Sequence, residues 1–323
     1  MIYCPICSKS PKKPSLDTRK IMGQQYTLFL CAACKLQYWE PRQTPDKSLY
    51  ENDFEDNSVL MQQRHAGGIQ ALPINHAEFI TRHPNGEEKS LFDVGCGDGV
   101  FLAHAQKKNW IVAGIDFDMR SITTARKRGL NDVQAATIED ILCLPQIPHF
   151  DAVTTFEVLE HQSDPAAFLS NCKRLLRPGG LFAGSVPNRE RFTFLVSDKG
   201  DLPPYHFTRW SKSALSDALF RAGFVEVKIQ SIGTGYYLRN LSKPLKVAIR
   251  NKIASNVAPA DLATLTIEDL PVIEARTLHQ VYKLKALKRL KQAIFRPGEI
   301  FEHYLEQRLD KGQMLYFEAR LPT

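Results

Sequence analysis

From Ser90 onward the chain alternates short apolar runs with longer stretches in which apolar side chains recur every three or four positions. The short runs are Leu91–Val94, Ile111–Ile115, Phe150–Thr155, Leu181–Val186 and Val225–Gln230, with a last one at Met314–Ala319. Apolar runs of this length bounded by turn residues read as buried strands. The longer stretches, notably Ala166–Leu176 and Lys212–Ala222, read as helices. Strand alternating with helix implies a mainly parallel sheet with helices on both faces, an α/β fold. A further helix-like stretch, Ile69–Arg82, precedes the first strand and ends at the turn His83-Pro-Asn-Gly86. Between the last two strands about 80 residues keep helical periodicity. That is too long for a hairpin loop and predicts a helical insertion.

Near the start, Tyr26–Leu30 and Leu36–Trp39 alternate as a small hairpin would, and the breakers Pro41 and Pro45 close the segment. There are two C-x-x-C pairs, Cys4/Cys7 ahead of the hairpin and Cys31/Cys34 in the knuckle it crosses, with 23 residues between them. Two such knuckles deliver four thiolates to one tetrahedral Zn²⁺ and leave no open coordination position, so the metal they imply is structural. The expected organisation is a zinc ribbon over 1–46, a connector and first helix over 47–89, a core over 90–231 and 313–323, and the helical insertion over 232–312.

Seven cysteines, an odd number, with no apolar leader at the N-terminus argue for a reducing, cytoplasmic setting rather than a disulfide framework. Cys96, Cys143 and Cys172 read as small buried residues. No run of 18 apolar residues occurs, so no membrane-spanning helix is expected. With 43% hydrophobic residues the chain is not a disordered one, and its net charge of +7 permits anionic partners without demanding them.

The chemistry is concentrated where strands end. Leu91-Phe-Asp-Val-Gly-Cys-Gly-Asp-Gly99 is a buried strand running into a glycine-rich turn and then a helix. Glycines at 95, 97 and 99 let the backbone turn tightly and approach a ligand. The next strand ends Gly114-Ile-Asp116, and an acid in that place accepts the two hydroxyls of a ribose. The spacing G-x-G-x-G differs from the G-x-G-x-x-G of dinucleotide-binding dehydrogenases.

These motifs, with Phe150-Asp-Ala-Val-Thr-Thr-Phe-Glu-Val-Leu-Glu-His161, Leu175-Leu-Arg-Pro-Gly-Gly-Leu181 and Ala222-Gly-Phe224, resemble the class I S-adenosylmethionine (SAM) methyltransferases. The ribbon followed by Pro41-Arg-Gln-Thr-Pro45 is similar to a subgroup that carries such a ribbon before the domain. The resemblance covers about residues 1–230 and the last strand, and 232–312 has no counterpart in it. It implies a Rossmann-like seven-stranded sheet and SAM as cofactor. It assigns the methionine end of SAM to the turn that includes Asp93, Gly95, Cys96 and Gly97, and the ribose to Asp116. Phe117 and Phe156 belong to the same cofactor set, Phe117 flanking the adenine. The adenine edge falls to the Ile138 backbone and to a carboxylate of Glu139 or Asp140.

Glu157, Glu160 and His161 follow the fourth strand of the core at its carboxyl end. A histidine titrates near neutral pH and suits removal of a proton from an acceptor, which makes His161 and His206 the candidate bases. A second reading is metallic. Glu157, Glu160 and His161 stand at i, i+3 and i+4, a spacing that converges on one face of a helical turn, and with His206 they would hold Mg²⁺ or Mn²⁺. The pattern is similar to that of ubiquinone-pathway O-methyltransferases and small-RNA 2′-O-methyltransferases. Leu202-Pro-Pro-Tyr205 resembles the loop of enzymes that methylate planar nitrogens, but it follows the fifth strand rather than the fourth, which argues for oxygen as the acceptor atom.

Residues 277–296 hold six basic residues, no acidic one, and apolar positions at helical spacing. Such a helix packs on the domain, lies on an anionic membrane or docks nucleic acid. The expectation is an O-methyltransferase for a hydroxyl of a small molecule or a lipid-linked saccharide. For this helix packing on the domain is the favoured role, and peripheral membrane contact is the alternative that would suit a lipid-linked substrate. An RNA methyltransferase and a non-catalytic SAM-binding scaffold are the alternatives. The aromatics near the ribbon (Tyr26, Phe29, Tyr38, Trp39) alternate as its own core would, which argues against nucleic acid as the partner.

Overall fold

The computed structural model describes residues 2–11, 17–43, 72–191, 201–233, 306 and 308–323. The basic stretch 277–296 lies outside them. The chain divides into two compact units, Met1–Ile232 with Gln313–Thr323, and Gly233–Gly312. Nearly all described residues belong to the first.

Seven strands form the main sheet: β4 (Ser90–Val94), β5 (Ile111–Asp116), β6 (Val133–Ala135), β7 (Phe150–Phe156), β8 (Leu176–Pro187), β10 (Val225–Ile232) and β11 (Met314–Arg320), in the spatial order β10-β11-β8-β7-β4-β5-β6. Strands β4 to β8 pair in parallel, while β11 runs antiparallel to both β8 and β10. The Rossmann-like sheet that the motifs implied is therefore present. From β4 the chain moves outward through β5 to β6, then returns to β7 on the other side of β4. That reversal opens a crevice at the carboxyl ends of the strands, where open α/β sheets bind ligands.

The helices start where the sequence supplies caps. Helix α3 (Met119–Lys127) begins at Asp118, whose side chain accepts from the Arg120 amide, and α6 (Lys212–Arg221) begins at Ser211. Helix α5 (Pro165–Arg174) starts at Asp164 with proline at its first position. Helices α1 (Ile74–Arg82), α2 (Val100–Gln106) and α4 (Ile138–Leu142) complete the set. The structure adds β6, which the apolar pattern misses because of its three residues just Val133 is buried. It also lengthens the strand expected at Leu181–Val186 back to Leu176, across Gly179 and Gly180.

The first residues form a separate antiparallel sheet, β1 (Asp17–Ile21), β2 (Gln24–Leu30) and β3 (Gln37–Glu40), to which the two-residue β9 (Thr208–Arg209) is added. Both ribbon faces are covered. Tyr26, Leu28 and Trp39 pack with Phe207, while Phe29, Leu36 and Tyr38 join the cysteines in the core that includes Leu215 and Leu219. Of the remaining cysteines, Cys96 and Cys172 are buried, but Cys143 is exposed at the end of α4, where the short helix turns its last residue to solvent.

Candidate functional site

The turn after β4 is built on glycine geometry. Gly95 and Gly97 have φ of 81° and 54°, in the left-handed region, and a Cβ on Gly95 would sit 2.5 Å from the Val158 side chain. Asp116, at the end of β5, closes the turn from the far side. One carboxylate oxygen accepts the Gly97 amide and the other the Asp118 amide, each at 2.9 Å. Every carboxylate oxygen carries two lone pairs, so each retains one for a further donor. Burial pushes the Asp116 carboxyl up, and the two amides oppose that shift. Asp93 lies beneath the turn, 2% exposed, and accepts from Thr154 Oγ1 at 2.7 Å. Burial pushes its carboxyl up to about 8, against the Thr154 bond and with the charge of Asp116.

A cavity of about 570 Å³ opens over this turn, within the usual range for small-molecule sites. Of the residues named from the sequence, Gly95, Asp116, Phe117, Ile138, Glu139, Phe156, Glu157 and His161 line it. Asp93, Cys96 and Gly97 are not on its wall; they lie in the layer that shapes the loop. Phe117 is half exposed at the mouth, while Phe156 is buried at the back, stacked edge-on against His76 of α1. Asp140 is diverted from the adenine role: it accepts from the Thr137 amide and hydroxyl in the capping box of α4.

At the cavity wall, where His161 stands, Glu160, His161 and His206 bring one ligand atom each within 4.8 Å of one another. The grouping is not made by a helical turn, as the i, i+3, i+4 spacing suggests. Glu157 has a φ of 56° and leaves the strand in a left-handed bend, and just Leu159–His161 forms a 3₁₀ turn. Glu157 consequently stays on the cavity wall and outside the three-residue group, with Oε2 3.5 Å from Asn75 Nδ2.

Both rings of the group are oriented from behind. His161 Nδ1 lies 3.0 Å from the Tyr205 carbonyl oxygen, and His206 Nδ1 lies 3.1 Å from Asp201 Oδ1. Each acceptor holds the ring proton on Nδ1 and leaves Nε2 with its lone pair, the arrangement found behind metal-ligating histidines. Asp201 is itself held by Arg191 at 2.6 Å. Burial first, and then the neighbouring His206 ring, push His161 down to about 3.

Glu160 is 1% exposed, and neither carboxylate oxygen has a hydrogen-bond partner among the described residues. Burial, followed by the charge of Glu157, pushes its carboxyl well above the usual range. A buried carboxyl with no partner among the described residues, beside two imidazoles, fits a divalent cation. The sequence did not point to Asp201, Tyr205 or Asn75; Tyr205 and Asn75 act on His161 and Glu157 from far away along the chain, whereas Asp201 acts on His206 from within its own loop. The signals for them were slight: Asp201 and Tyr205 flank the decoy Pro203-Pro204.

At the ribbon, Cys4 and Cys34 sulfurs are 3.4 Å apart, as are Cys7 and Cys31. All four come within 4.8 Å, and none forms a disulfide. A tetrahedron of thiolates about 2.3 Å from zinc has edges of about 3.8 Å, so the set fits that ion.

Residues 70–229 match the family model of a methyltransferase domain. A ubiquinone biosynthesis O-methyltransferase of Histophilus somni (strain 2336) is 35% identical over 130 residues, covering 38% of this chain and 55% of that protein. Its namesake from Hahella chejuensis (strain KCTC 2396) is 29% identical over 199 residues, covering 53% and 83%. The chain thus spans about half the length of most of the curated relatives it matches. Phosphoethanolamine N-methyltransferase 2 of Haemonchus contortus, solved with phosphomonomethylethanolamine and S-adenosylhomocysteine, shares the fold with a TM-score of 0.54 at 13% identity, covering 95% of this chain and 71% of that one.

Proposed function

We infer that this chain, which carries a class I SAM-dependent methyltransferase domain over residues 70–229, methylates a hydroxyl oxygen of a small molecule with the help of a divalent cation. The observation that carries the metal-assisted reading is the orphaned carboxyl of Glu160 beside His161 and His206. The O-methyltransferase names of the relatives support oxygen as the acceptor atom.

In this reading the glycine turn and Asp116 hold the methyl donor. Asp116 accepts the ribose hydroxyls on its remaining lone pairs, while Phe117 and Ile138 bound the adenine and Glu139 its edge. Methyl transfer from a sulfonium needs a well-placed nucleophile more than a strong catalyst, so the protein's main task is orientation. Glu160, His161 and His206 would hold the cation. A mixed set of imidazole and carboxylate suits Mn²⁺ better than Mg²⁺, which takes mainly oxygen donors. Bound there, a divalent ion lowers the pKa of an acceptor hydroxyl and fixes its oxygen. His161, neutral and pushed far down by burial, is a weak proton acceptor and serves better as a ligand than as a base. Glu157 is the carboxylate placed to take the hydroxyl proton from within the cavity. The acceptor class is a hydroxylated metabolite with neighbouring oxygens, such as a phenol or a free or lipid-linked saccharide. The four ribbon cysteines hold a structural zinc. Among the described residues no helix is long and apolar enough to cross a membrane.

The test is calorimetric titration with S-adenosylhomocysteine, with and without Mn²⁺, followed by methyl transfer from SAM to a panel of phenols and saccharides. The reading expects cofactor binding and turnover that stops when the divalent ion is removed. Turnover that is indifferent to chelation would sink the metal role and return Glu157 or a histidine to the part of simple base.

A further inference from the structure

The ribbon sheet does not end with the ribbon. Its outer strand is β9, Thr208–Arg209, which comes directly after His206 and Phe207. Tyr38 pairs with Thr208 and Gln37 with Arg209, and the Trp39 amide donates to the Phe207 carbonyl at 2.8 Å. On its other side Phe207 donates its amide to the Glu160 carbonyl at 2.9 Å. One residue is therefore hydrogen-bonded in opposite directions, to the ribbon and to the turn that carries Glu160. Its ring is fully buried against Tyr26, Leu28 and Trp39. Arg189 adds a second tie, donating to the Lys35 carbonyl, next to Cys34, at 2.6 Å.

We propose that the ribbon is a positioning element of the catalytic site, acting through Trp39 and Phe207 to hold Glu160 and His206 at the separation the cation needs. The proposal rests on the metal-assisted reading above. A two-residue strand has too few ladder bonds to be ordered by itself, so the segment following His206 is held between β3 on one side and the turn that carries Glu160 on the other. The cofactor end of the cavity is built from the turns after β4 and β5 and from α4, none of which pairs with the ribbon sheet. Loosening the ribbon contact should thus affect the cation and leave the cofactor alone.

The experiment uses the full chain and the variants Phe207→Ala and Phe207→Leu. Mn²⁺ affinity is read by electron paramagnetic resonance and S-adenosylhomocysteine affinity by calorimetry. Phe207→Ala is expected to weaken Mn²⁺ by about 10- to 100-fold, the range for losing support behind a metal ligand. It should leave S-adenosylhomocysteine within about twofold, while Phe207→Leu, which keeps most of the packed volume, restores Mn²⁺. Should the alanine variant not fold, Phe207→Val is read in the same way. Unchanged Mn²⁺ affinity, or parallel loss of both ligands, overturns the proposal. A wild-type chain that takes up no Mn²⁺ overturns the metal-assisted reading instead. The ¹⁵N ring signals of His161 and His206 then decide about the ribbon. They move in Phe207→Ala and return in Phe207→Leu if the ribbon positions them, and unchanged signals overturn it.

Discussion

Asp116 and Gly97 are joined by a hydrogen bond of 2.9 Å from the glycine amide to the carboxylate. The residue assigned to the ribose is thereby also the brace of the glycine turn. Replacing it removes both tasks together. Asp116→Ala should weaken S-adenosylhomocysteine by about 2–4 kcal/mol through lost charge-assisted hydrogen bonds, with a lower melting temperature as well. Calorimetry and thermal melting check the two effects, and an affinity equal to wild type would remove Asp116 from the cofactor site.

Glu160 presents the opposite case, a buried carboxyl that costs stability in the protein without its cation. Glu160→Gln keeps the shape and removes the ionisable group. The variant should melt at or above the wild-type temperature when no divalent ion is added, yet bind Mn²⁺ at least about tenfold more weakly. A variant that melts lower and binds Mn²⁺ as before would show that Glu160 is a packing residue.

The pH dependence of stability offers a test at Asp93. The unfolded chain ionises this group near the ordinary value of about 3.9, whereas the folded chain keeps the proton until about 8. Between those values the folded state binds more protons than the unfolded one. Its contribution to stability is therefore present at low pH and declines as pH rises towards 8. Asp93→Asn removes the decline: its melting temperature should exceed that of wild type at pH 8 by more than at pH 5. An equal difference at both values would mean that the group is ionised throughout.

Elemental analysis of the purified chain should find about one zinc, bound by the four ribbon cysteines. Cys31→Ser should reduce that content and the melting temperature together, because Cys31 is fully buried in the core shared with α6. A folded wild-type chain free of zinc would leave the ribbon to packing alone.

The parts legible from the sequence are those whose partners lie close along the chain. The glycine turn, Asp116 and the paired cysteines each declare themselves within a few residues, because backbone conformation or metal geometry restricts which residue types serve there. The group of Glu160, His161 and His206 was legible in its members and not in its construction. Glu160 and His161 were visible, but the left-handed bend at Glu157 was not, since a glutamate in that conformation leaves no mark in composition. Tyr205, which orients His161, depends on the fold bringing a loop back beneath the 3₁₀ turn, while Asp201 meets His206 within that loop and carried no motif to mark it. Asn75, which reaches Ser185 at 2.9 Å as well as Glu157, depends on α1 crossing the sheet.

The pairing of β3 with β9 also sets an order of events in synthesis. Chains emerge from the N-terminus, and early segments fold before later ones exist. The hairpin of β2 and β3, with all four cysteines, is complete long before residue 208 has been made, and it can capture its metal while local. The last strand of that small sheet arrives afterwards, from beyond the central parallel strands, as a contact of long sequence separation that is slow to form. The ribbon edge is thus closed by Thr208 and Arg209, which enter the chain some 170 residues after the strand they complete and directly follow His206.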